Sequence, residues 1–291
     1  MSTSRHEVHS IHNPMGQLTA EHPGAVKIGR AGWLAKGVVY CIAGILALSI
    51  AAKAGGWAES TSATGNQEAS PLGAIKTVAG SGGGTLLLWV LAIGMLLYAA
   101  WRVVSALLPG GTDAKAMAHR IGYIASAIMY TTFAFSAIML ARNSSKTPDG
   151  NQKVTDISST LMAHSFGRVL VGVLGVVVIA VGLYRMSKGF KMDVEDELDM
   201  SGASPGWRTW IERLGAIGEV GRGIGFSLVG FFLLRAALRY DPNEATGLDG
   251  ALRRLVLESW GLIIVIIVGI GFAAYGVFCL ATFHRRRLQA P

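Results

Sequence analysis

Six long runs of apolar residues limit what this chain can fold into more than any other feature. They cover residues 31–52, 85–107, 121–141, 168–188, 221–239 and 259–281. An α-helix rises about 1.5 Å per residue, so about 20 residues are needed to cross the roughly 30 Å hydrocarbon core of a bilayer. Each run is near that length. The sequence therefore predicts an all-α, polytopic membrane protein with six transmembrane helices.

The distribution of charge supports a membrane location. Only 15% of the residues are charged, against about 25% in soluble domains. The net charge of +8 could suggest nucleic-acid binding, but 16 of the 26 Lys and Arg residues fall in the two tails, the second and fourth loops and the adjoining helix ends. The positive-inside rule assigns that side to the cytoplasm. We therefore expect a multi-pass protein of the inner (plasma) membrane with both termini cytoplasmic, and no nucleic-acid partner.

The odd-numbered runs repeat one pattern without gaps. The first run carries Gly32, Trp33, Lys36, Gly37, Tyr40 and Gly44; the third carries Gly122, Tyr123, Ser126, Ala127, Tyr130 and Ala134; the fifth carries Gly218, Glu219, Arg222, Gly223, Phe226 and Gly230. The even-numbered runs align more weakly, through Gly94, Tyr98, Trp101 and Arg102, then Val177, Val181, Tyr184 and Arg185, then Gly271, Tyr275, Phe278 and Cys279. The repeating unit is a two-helix hairpin. Three tandem units of one orientation predict a pseudo-threefold arrangement about the membrane normal.

These repeats divide the chain into segments. Repeat 1 covers 27–110, repeat 2 covers 111–192 and repeat 3 covers 207–284, with an acidic linker over 193–206. Residues 1–26 form a polar tail without a signal-peptide core, predicted to be disordered and cytoplasmic, and 285–291 form a basic C-terminal tail. Helical spacing of Trp207, Trp210, Ile211 and Leu214 predicts a short interfacial helix before the fifth run. In the first outer loop, Leu72, Ile75 and Val78 predict one amphipathic turn.

The stretches 29–44, 119–130 and 214–230 resemble the three repeats of the bacterial membrane family catalogued as domain of unknown function 1206. The resemblance covers roughly residues 25–285. It departs at Ser126, where repeats 1 and 3 have a base, and at Glu219, where the other repeats have an aromatic residue. The resemblance implies the fold and a membrane location. It implies no catalytic residues.

One face of each odd-numbered helix carries small residues two turns apart. In lipid, small residues let helix backbones approach closely, and an aromatic residue between them fills the groove. This pattern predicts a helix-packing seam, formed by Gly37, Gly44, Ala127, Ala134, Gly223 and Gly230.

Four basic residues lie one or two turns inside the predicted cytoplasmic ends of their helices: Lys36, Arg102, Arg185 and Arg222. If they point inward, they form a basic vestibule with four tyrosines deeper in the membrane, namely Tyr40, Tyr98, Tyr130 and Tyr275. Such a vestibule would bind an anionic small molecule or lipid headgroup. If they point outward, they snorkel to the surface and fix the topology.

Residues for catalysis or metal binding are not evident in the sequence. Glu219 and Glu258 are placed at the edges of their runs, which disfavours ion coupling through a membrane carboxylate, and the histidines at 6, 9 and 12 lack further ligands. Cys41 and Cys279 are expected to be packing residues. We expect a non-enzymatic binding or accessory module without metal or cofactor, partnered by anionic lipid or by another membrane protein. The alternative is a passive small-molecule or anion transporter or channel along the repeat axis.

Overall fold

A computed structural model describes residues 23–57, 68–79, 83–107, 114–142, 150–164, 166–192, 198 and 202–284. Nine α-helices lie in these ranges: α1 (Pro23–Ala54), α2 (Pro71–Ala79), α3 (Gly84–Leu107), α4 (Ala114–Ala141), α5 (Gly150–Met162), α6 (Gly167–Phe190), α7 (Pro205–Arg239), α8 (Leu248–Leu255) and α9 (Gly261–Thr282). The predicted N-terminal tail up to residue 22, with its histidines, most of the acidic linker and the basic C-terminal tail lie outside the described residues.

Six of these helices are long and apolar enough to cross a membrane: α1 over Gly32–Ala54, α3, α4 over Arg120–Ala141, α6, α7 and α9. This confirms the prediction of an all-α protein with six transmembrane helices. Five of the six agree with the apolar runs to within a few residues. Their apolar side chains drive insertion, and their backbone groups satisfy one another within each helix.

The fifth span differs from its prediction. Residues 205–214 do not form a separate interfacial helix, because α7 is one continuous helix of 35 residues. Ser204 caps its first turn by accepting a hydrogen bond from the amide of Trp207, and no proline follows Pro205 to break it. At about 1.5 Å per residue, α7 is about 52 Å long and extends well past the hydrocarbon core.

Short helices follow the first, third and fifth spans. In α2, the predicted turn is present, with Leu72, Ile75 and Val78 buried; α5 and α8 were not predicted. Asp249 of α8 joins all three loops, because its carboxylate accepts hydrogen bonds from the amide of Ala69 at 2.7 Å and the side chain of Asn151 at 3.1 Å. The loops that follow the first, third and fifth spans are therefore tied together.

Each spanning helix packs on the next in chain order, except that α4 and α6 form no extended contact within the described residues, and α9 returns to pack on α1. The spans therefore form a ring that is open between α4 and α6. The most extensive contacts join one repeat to the next: α3 with α4, α6 with α7, and α9 with α1. Within repeats, α1 packs on α3 and α7 packs on α9. The cyclic order fits the predicted pseudo-threefold arrangement. However, the tightest pairs are formed between hairpins rather than within them.

The ring departs from threefold equivalence in repeat 2. Within the described residues, α4 and α6 form no extended contact, although the equivalent pairs pack together in repeats 1 and 3. Consistent with this, α6 is largely exposed, and its buried positions are mainly the glycines that face α7. The middle hairpin is therefore held by its neighbours and not by its own two helices.

Candidate functional site: a buried cation and tyrosine cluster

Glycines bring the helices around the site close together. A Cβ added to Gly44 would lie 2.5 Å from the amide nitrogen of Ala273, and one added to Gly230 would lie 2.7 Å from the carbonyl of Gly175. A Cβ added to Gly37 would lie 2.9 Å from the side chain of Leu280, and one added to Gly223 would lie 2.6 Å from the carbonyl oxygen of Gly182. In repeat 2, Ala127 and Ala134 are buried on α4. Four of the six predicted seam residues therefore lie where helix backbones are nearly in contact.

The glycines that face the seam from the fourth and sixth spans were not predicted from the sequence. They are Gly175 and Gly182 on α6, and Gly269 and Gly276 on α9. Both pairs are spaced by seven residues, as are Gly37 with Gly44 and Gly223 with Gly230. That shared spacing was available in the sequence, since seven residues are two helical turns. The seven-residue spacing of glycines therefore indicates which helices pack together, in addition to the seam residues themselves.

Lys36 lies inside a box of aromatic rings. Its ammonium group is 4.6 Å from the ring centre of Trp33, 5.1 Å from Tyr275, 5.6 Å from Tyr98 and 5.9 Å from Tyr130. The residue is 6% exposed, and within the described residues it forms no ion pair. Cation–π contacts of a desolvated ammonium are worth about 2 kcal/mol. They orient Lys36 inward without neutralising its charge.

Arg222 lies beside Lys36 and shares one carboxylate with another arginine. Its guanidinium donates to Glu219 at 2.9 Å, and Arg185 of α6 donates to the other oxygen of Glu219 at 3.0 Å. Arg222 also stacks over Tyr275 at 3.9 Å, and its Nε is buried without a hydrogen-bond partner. Glu219 therefore balances one of two arginine charges.

The position of Glu219 corrects an expectation. The sequence placed it at the edge of the fifth span, but it lies near the middle of α7 and is 8% exposed. The continuous helix extends the membrane segment toward the N-terminus and so brings Glu219 inside the bundle. A buried carboxylate is tolerated there because two arginines surround it.

Tyrosine rings from all three repeats meet at the centre of the ring. Tyr98 and Tyr130 are 4.6 Å apart in an edge-to-face arrangement, and Tyr40 and Tyr275 are 5.0 Å apart. All four are at most 6% exposed. We use the name cation–tyrosine cluster for Lys36, Tyr40, Tyr98, Tyr130, Glu219, Arg222 and Tyr275.

The residues of the predicted vestibule fall into two groups. The four tyrosines surround two of the bases, Lys36 and Arg222. The other two bases are half-buried at the edge: Arg102 donates to the Tyr98 hydroxyl at 2.6 Å and stacks on Tyr123 at 5.1 Å, while the Arg185 side chain is 30% exposed. The eight predicted residues are therefore brought together, with Glu219 as an addition that the sequence did not identify.

The cluster combines positive charge with hydroxyl groups in a low-dielectric environment. Ammonium, guanidinium and phenol groups all donate hydrogen bonds to anionic oxygens. Arg222 and Arg185 both donate to the Glu219 carboxylate, and the Lys36 ammonium lies among aromatic rings beside them. The chemistry of this donor set suits an anion such as a phosphate or carboxylate.

Comparison with known proteins agrees with the repeat analysis. A family described as Domain of Unknown Function (DUF1206) matches residues 31–108, 121–192 and 217–282, one segment for each predicted repeat. The chain is also 30% identical over 261 residues to the "Uncharacterized protein YxxB" of Bacillus subtilis (strain 168), covering 89% of this chain and 90% of that relative. No solved structure matches the chain.

Proposed function

The chain belongs to the DUF1206 family, and we propose that it is a non-enzymatic membrane module that binds the anionic group of a ligand at the cation–tyrosine cluster. The observation that carries this proposal is the unbalanced positive charge inside the helix ring. Charged residues inside a membrane bundle are costly and are retained where they serve a pathway or a ligand.

The charge imbalance follows from the contacts of two buried cations. Arg222 shares Glu219 with Arg185, and Lys36 has aromatic rings around it instead of a carboxylate. Burying an ion without a full partner costs several kcal/mol. A bound anion would offset that cost and would accept hydrogen bonds from the cations and from the nearby hydroxyls.

Packing at the centre of the ring supports a binding module over a passive transporter or channel. The edge-to-face pairs of Tyr98 with Tyr130 and of Tyr40 with Tyr275 fill the axis that a permanent path would follow. A transporter would need these pairs to separate during each cycle. Flux of an anion into liposomes that is present in wild type and lost when Lys36 is replaced would favour this second candidate.

We place the protein in the inner (plasma) membrane with both termini in the cytoplasm. Basic residues support this orientation, in particular the three consecutive arginines from 285 to 287. Cysteines introduced at Ser4 and Gln289 are expected to resist an impermeant thiol reagent in intact cells and to react after permeabilisation. Labelling in intact cells would contradict the orientation.

Retention of anionic lipid tests the proposed site. The full chain is purified in a mild detergent, and bound phosphatidylglycerol is measured by native mass spectrometry for wild type, Lys36→Gln and Arg102→Gln. Each substitution removes one charge and keeps a polar group, so lipid binding should weaken by about 1 kcal/mol or more, roughly fivefold. Arg239→Gln is the matched control, because Arg239 is exposed and lies at the C-terminal end of α7, away from the cluster near the middle of that helix. Equal retention in all variants would contradict the proposal.

A further inference from the structure

The two helices of repeat 2 are separated where those of repeats 1 and 3 touch. A Cβ added to Gly32 would lie 2.7 Å from the Cβ of Tyr98, and one added to Gly218 would lie 2.7 Å from the Cβ of Tyr275. The equivalent glycine of repeat 2 is Gly122, and a Cβ there would have no atom within 4 Å. The same small residue thus serves a tight contact in two repeats and faces open space in the third.

The facing side of α6 shows the same difference. Val181 is equivalent to Tyr98 and Tyr275, which are 4% and 3% exposed, yet Val181 is 40% exposed. The position two turns earlier shows the same difference in exposure: Leu174 is 42% exposed, whereas its equivalents Leu91 and Val268 are buried. These positions are buried within the helix bundle in repeats 1 and 3. Their exposure in repeat 2 therefore indicates a lateral opening of the ring, beyond the ordinary lipid-facing surface.

We name this opening the α4–α6 cleft and define it by Gly122 and Ser126 on α4 and by Leu174 and Val181 on α6. Its outer end is spanned by the short helices, since Asp249 holds Ala69 and Asn151 together. Its other end lies between two half-buried bases. Arg102 stacks on Tyr123 of α4, and Arg185 extends from α6 to Glu219.

We propose that the α4–α6 cleft holds an acyl chain of a membrane phospholipid whose anionic headgroup lies between Arg102 and Arg185 and reaches the cation–tyrosine cluster. This inference rests on the proposed function and names its ligand as a lipid rather than a soluble anion. The cleft walls are apolar or small and open to the hydrocarbon region. The cations flank its inner end. An anionic diacyl lipid matches both features, whereas a free phosphate matches only the cations.

Two substitutions that fill the cleft provide the test. Gly122→Trp and Val181→Trp introduce a large side chain into space that the chain leaves open, so both are expected to fold. Val176→Trp is the matched control, because Val176 is 54% exposed on the same helix and lies about 140° around it from Val181. The full chain in mild detergent is supplied with diacyl phosphatidylglycerol, and bound lipid is counted by native mass spectrometry. We expect at least a tenfold loss of bound lipid in both cleft variants and none in the control.

A second arm separates the lipid from its headgroup. Glycerol 3-phosphate carries the phosphate without acyl chains, and its binding is followed by the shift in melting temperature. We expect wild type and both cleft variants to respond alike to millimolar glycerol 3-phosphate, while Lys36→Gln loses this response. Unchanged retention of phosphatidylglycerol by both Trp variants would overturn the cleft proposal and leave the anion site intact. Loss of lipid in the Trp variants with full retention in Lys36→Gln would instead overturn the proposed function.

A second copy of the chain is the competing occupant of the cleft. The same mass spectra report oligomeric state. A wild-type dimer that Gly122→Trp and Val181→Trp convert to monomer would overturn the lipid assignment, because the cleft would then be a protein interface. A wild-type monomer that loses lipid in both variants supports it.

Discussion

Repeat 2 differs from repeats 1 and 3 although all three carry the same seam. In repeats 1 and 3, the two helices of the hairpin pack on each other. A tyrosine of the second helix lies against a glycine of the first helix. In repeat 2, that tyrosine is replaced by Val181, and the hairpin is open at Gly122. The contacts between repeats are therefore alike in all three places, while the contact within the hairpin is present in repeats 1 and 3 and not in the described part of repeat 2.

The charges follow the same division. Repeats 1 and 3 supply the two buried cations, Lys36 and Arg222, while repeat 2 has Ser126 at the equivalent position. Repeat 2 contributes Tyr130 to the centre and Arg185 to the edge. The repeat without a buried cation is thus also the repeat whose two helices form no extended contact within the described residues.

The largest expected effect on stability comes from removing Glu219, the carboxylate that repeat 3 contributes to the cluster. Glu219→Gln leaves Arg222 buried and Arg185 half-buried without their shared carboxylate. Breaking a buried pair by removing one partner costs about 3–5 kcal/mol. We expect a corresponding loss of stability, measured as the free energy of unfolding in detergent by chemical denaturation.

The matched control is Glu212→Gln on the same helix. Glu212 pairs with Arg208, whose side chain is 53% exposed, so its loss should change the free energy of unfolding by at most about 1 kcal/mol. Equal destabilisation by the two substitutions would show that Glu219 is not a special counter-ion, and the distinction between repeat 3 and the other two would fail.

The next effect compares equivalent glycines. Gly218→Leu would force a side chain against Tyr275, whereas Gly122→Leu would enter open space. Overpacking typically costs about 1–3 kcal/mol, while a change at an open surface position stays within about 0.5 kcal/mol. We expect this difference in the melting of the two variants in detergent. Similar losses at both positions would mean that repeat 2 is packed like repeat 3.

The smallest expected effect comes from giving repeat 2 the tyrosine that repeats 1 and 3 carry at this position. Val181→Tyr places the aromatic residue of the other repeats on α6. Its equivalents Tyr98 and Tyr275 each pair with an aromatic ring of the next repeat, and the equivalent ring for position 181 is Phe226. Aromatic pairs contribute about 0.5–1.5 kcal/mol, so a gain in the free energy of unfolding of less than about 1 kcal/mol is expected. Val176→Tyr, on the exposed side of α6, should give none. Destabilisation by Val181→Tyr would indicate that the position is already filled.

Much of the fold could be predicted because its signal is local. Apolar length identifies the spans, and glycine spacing identifies the seam, since both depend on residues along one helix. The length of α7 could not be predicted in this way. Residues 205–214 are polar enough to read as an interfacial segment, and only the absence of a break joined them to the fifth span.

The candidate site was predicted in its residues but not in its geometry. The four bases and four tyrosines were found by aligning repeats, yet helical projection alone does not say which face meets the axis. Glu219 precedes the apolar run that begins at residue 221, so the sequence places it at the edge of the span. The sequence does not indicate the opening at Gly122, because the equivalent residue is glycine in all three repeats. What differs is its partner, Val181 in place of tyrosine, which lies on another helix.

Disulfide formation between equivalent positions tests the open middle repeat most directly. In a background with Cys41→Ala and Cys279→Ala, cysteine pairs are introduced at Gly218 with Tyr275 and at Gly122 with Val181, and oxidation is followed by gel shift. A disulfide requires Cβ atoms about 3.5–4.5 Å apart. The Cβ positions of the repeat 3 pair are 2.7 Å apart, so a small separation of the two helices brings them into that range. In repeat 2, no atom lies within 4 Å of a Cβ at Gly122, and the described parts of α4 and α6 form no extended contact. We predict rapid oxidation of the repeat 3 pair and little oxidation of the repeat 2 pair. Equal rates for both pairs would contradict the separation of α4 from α6.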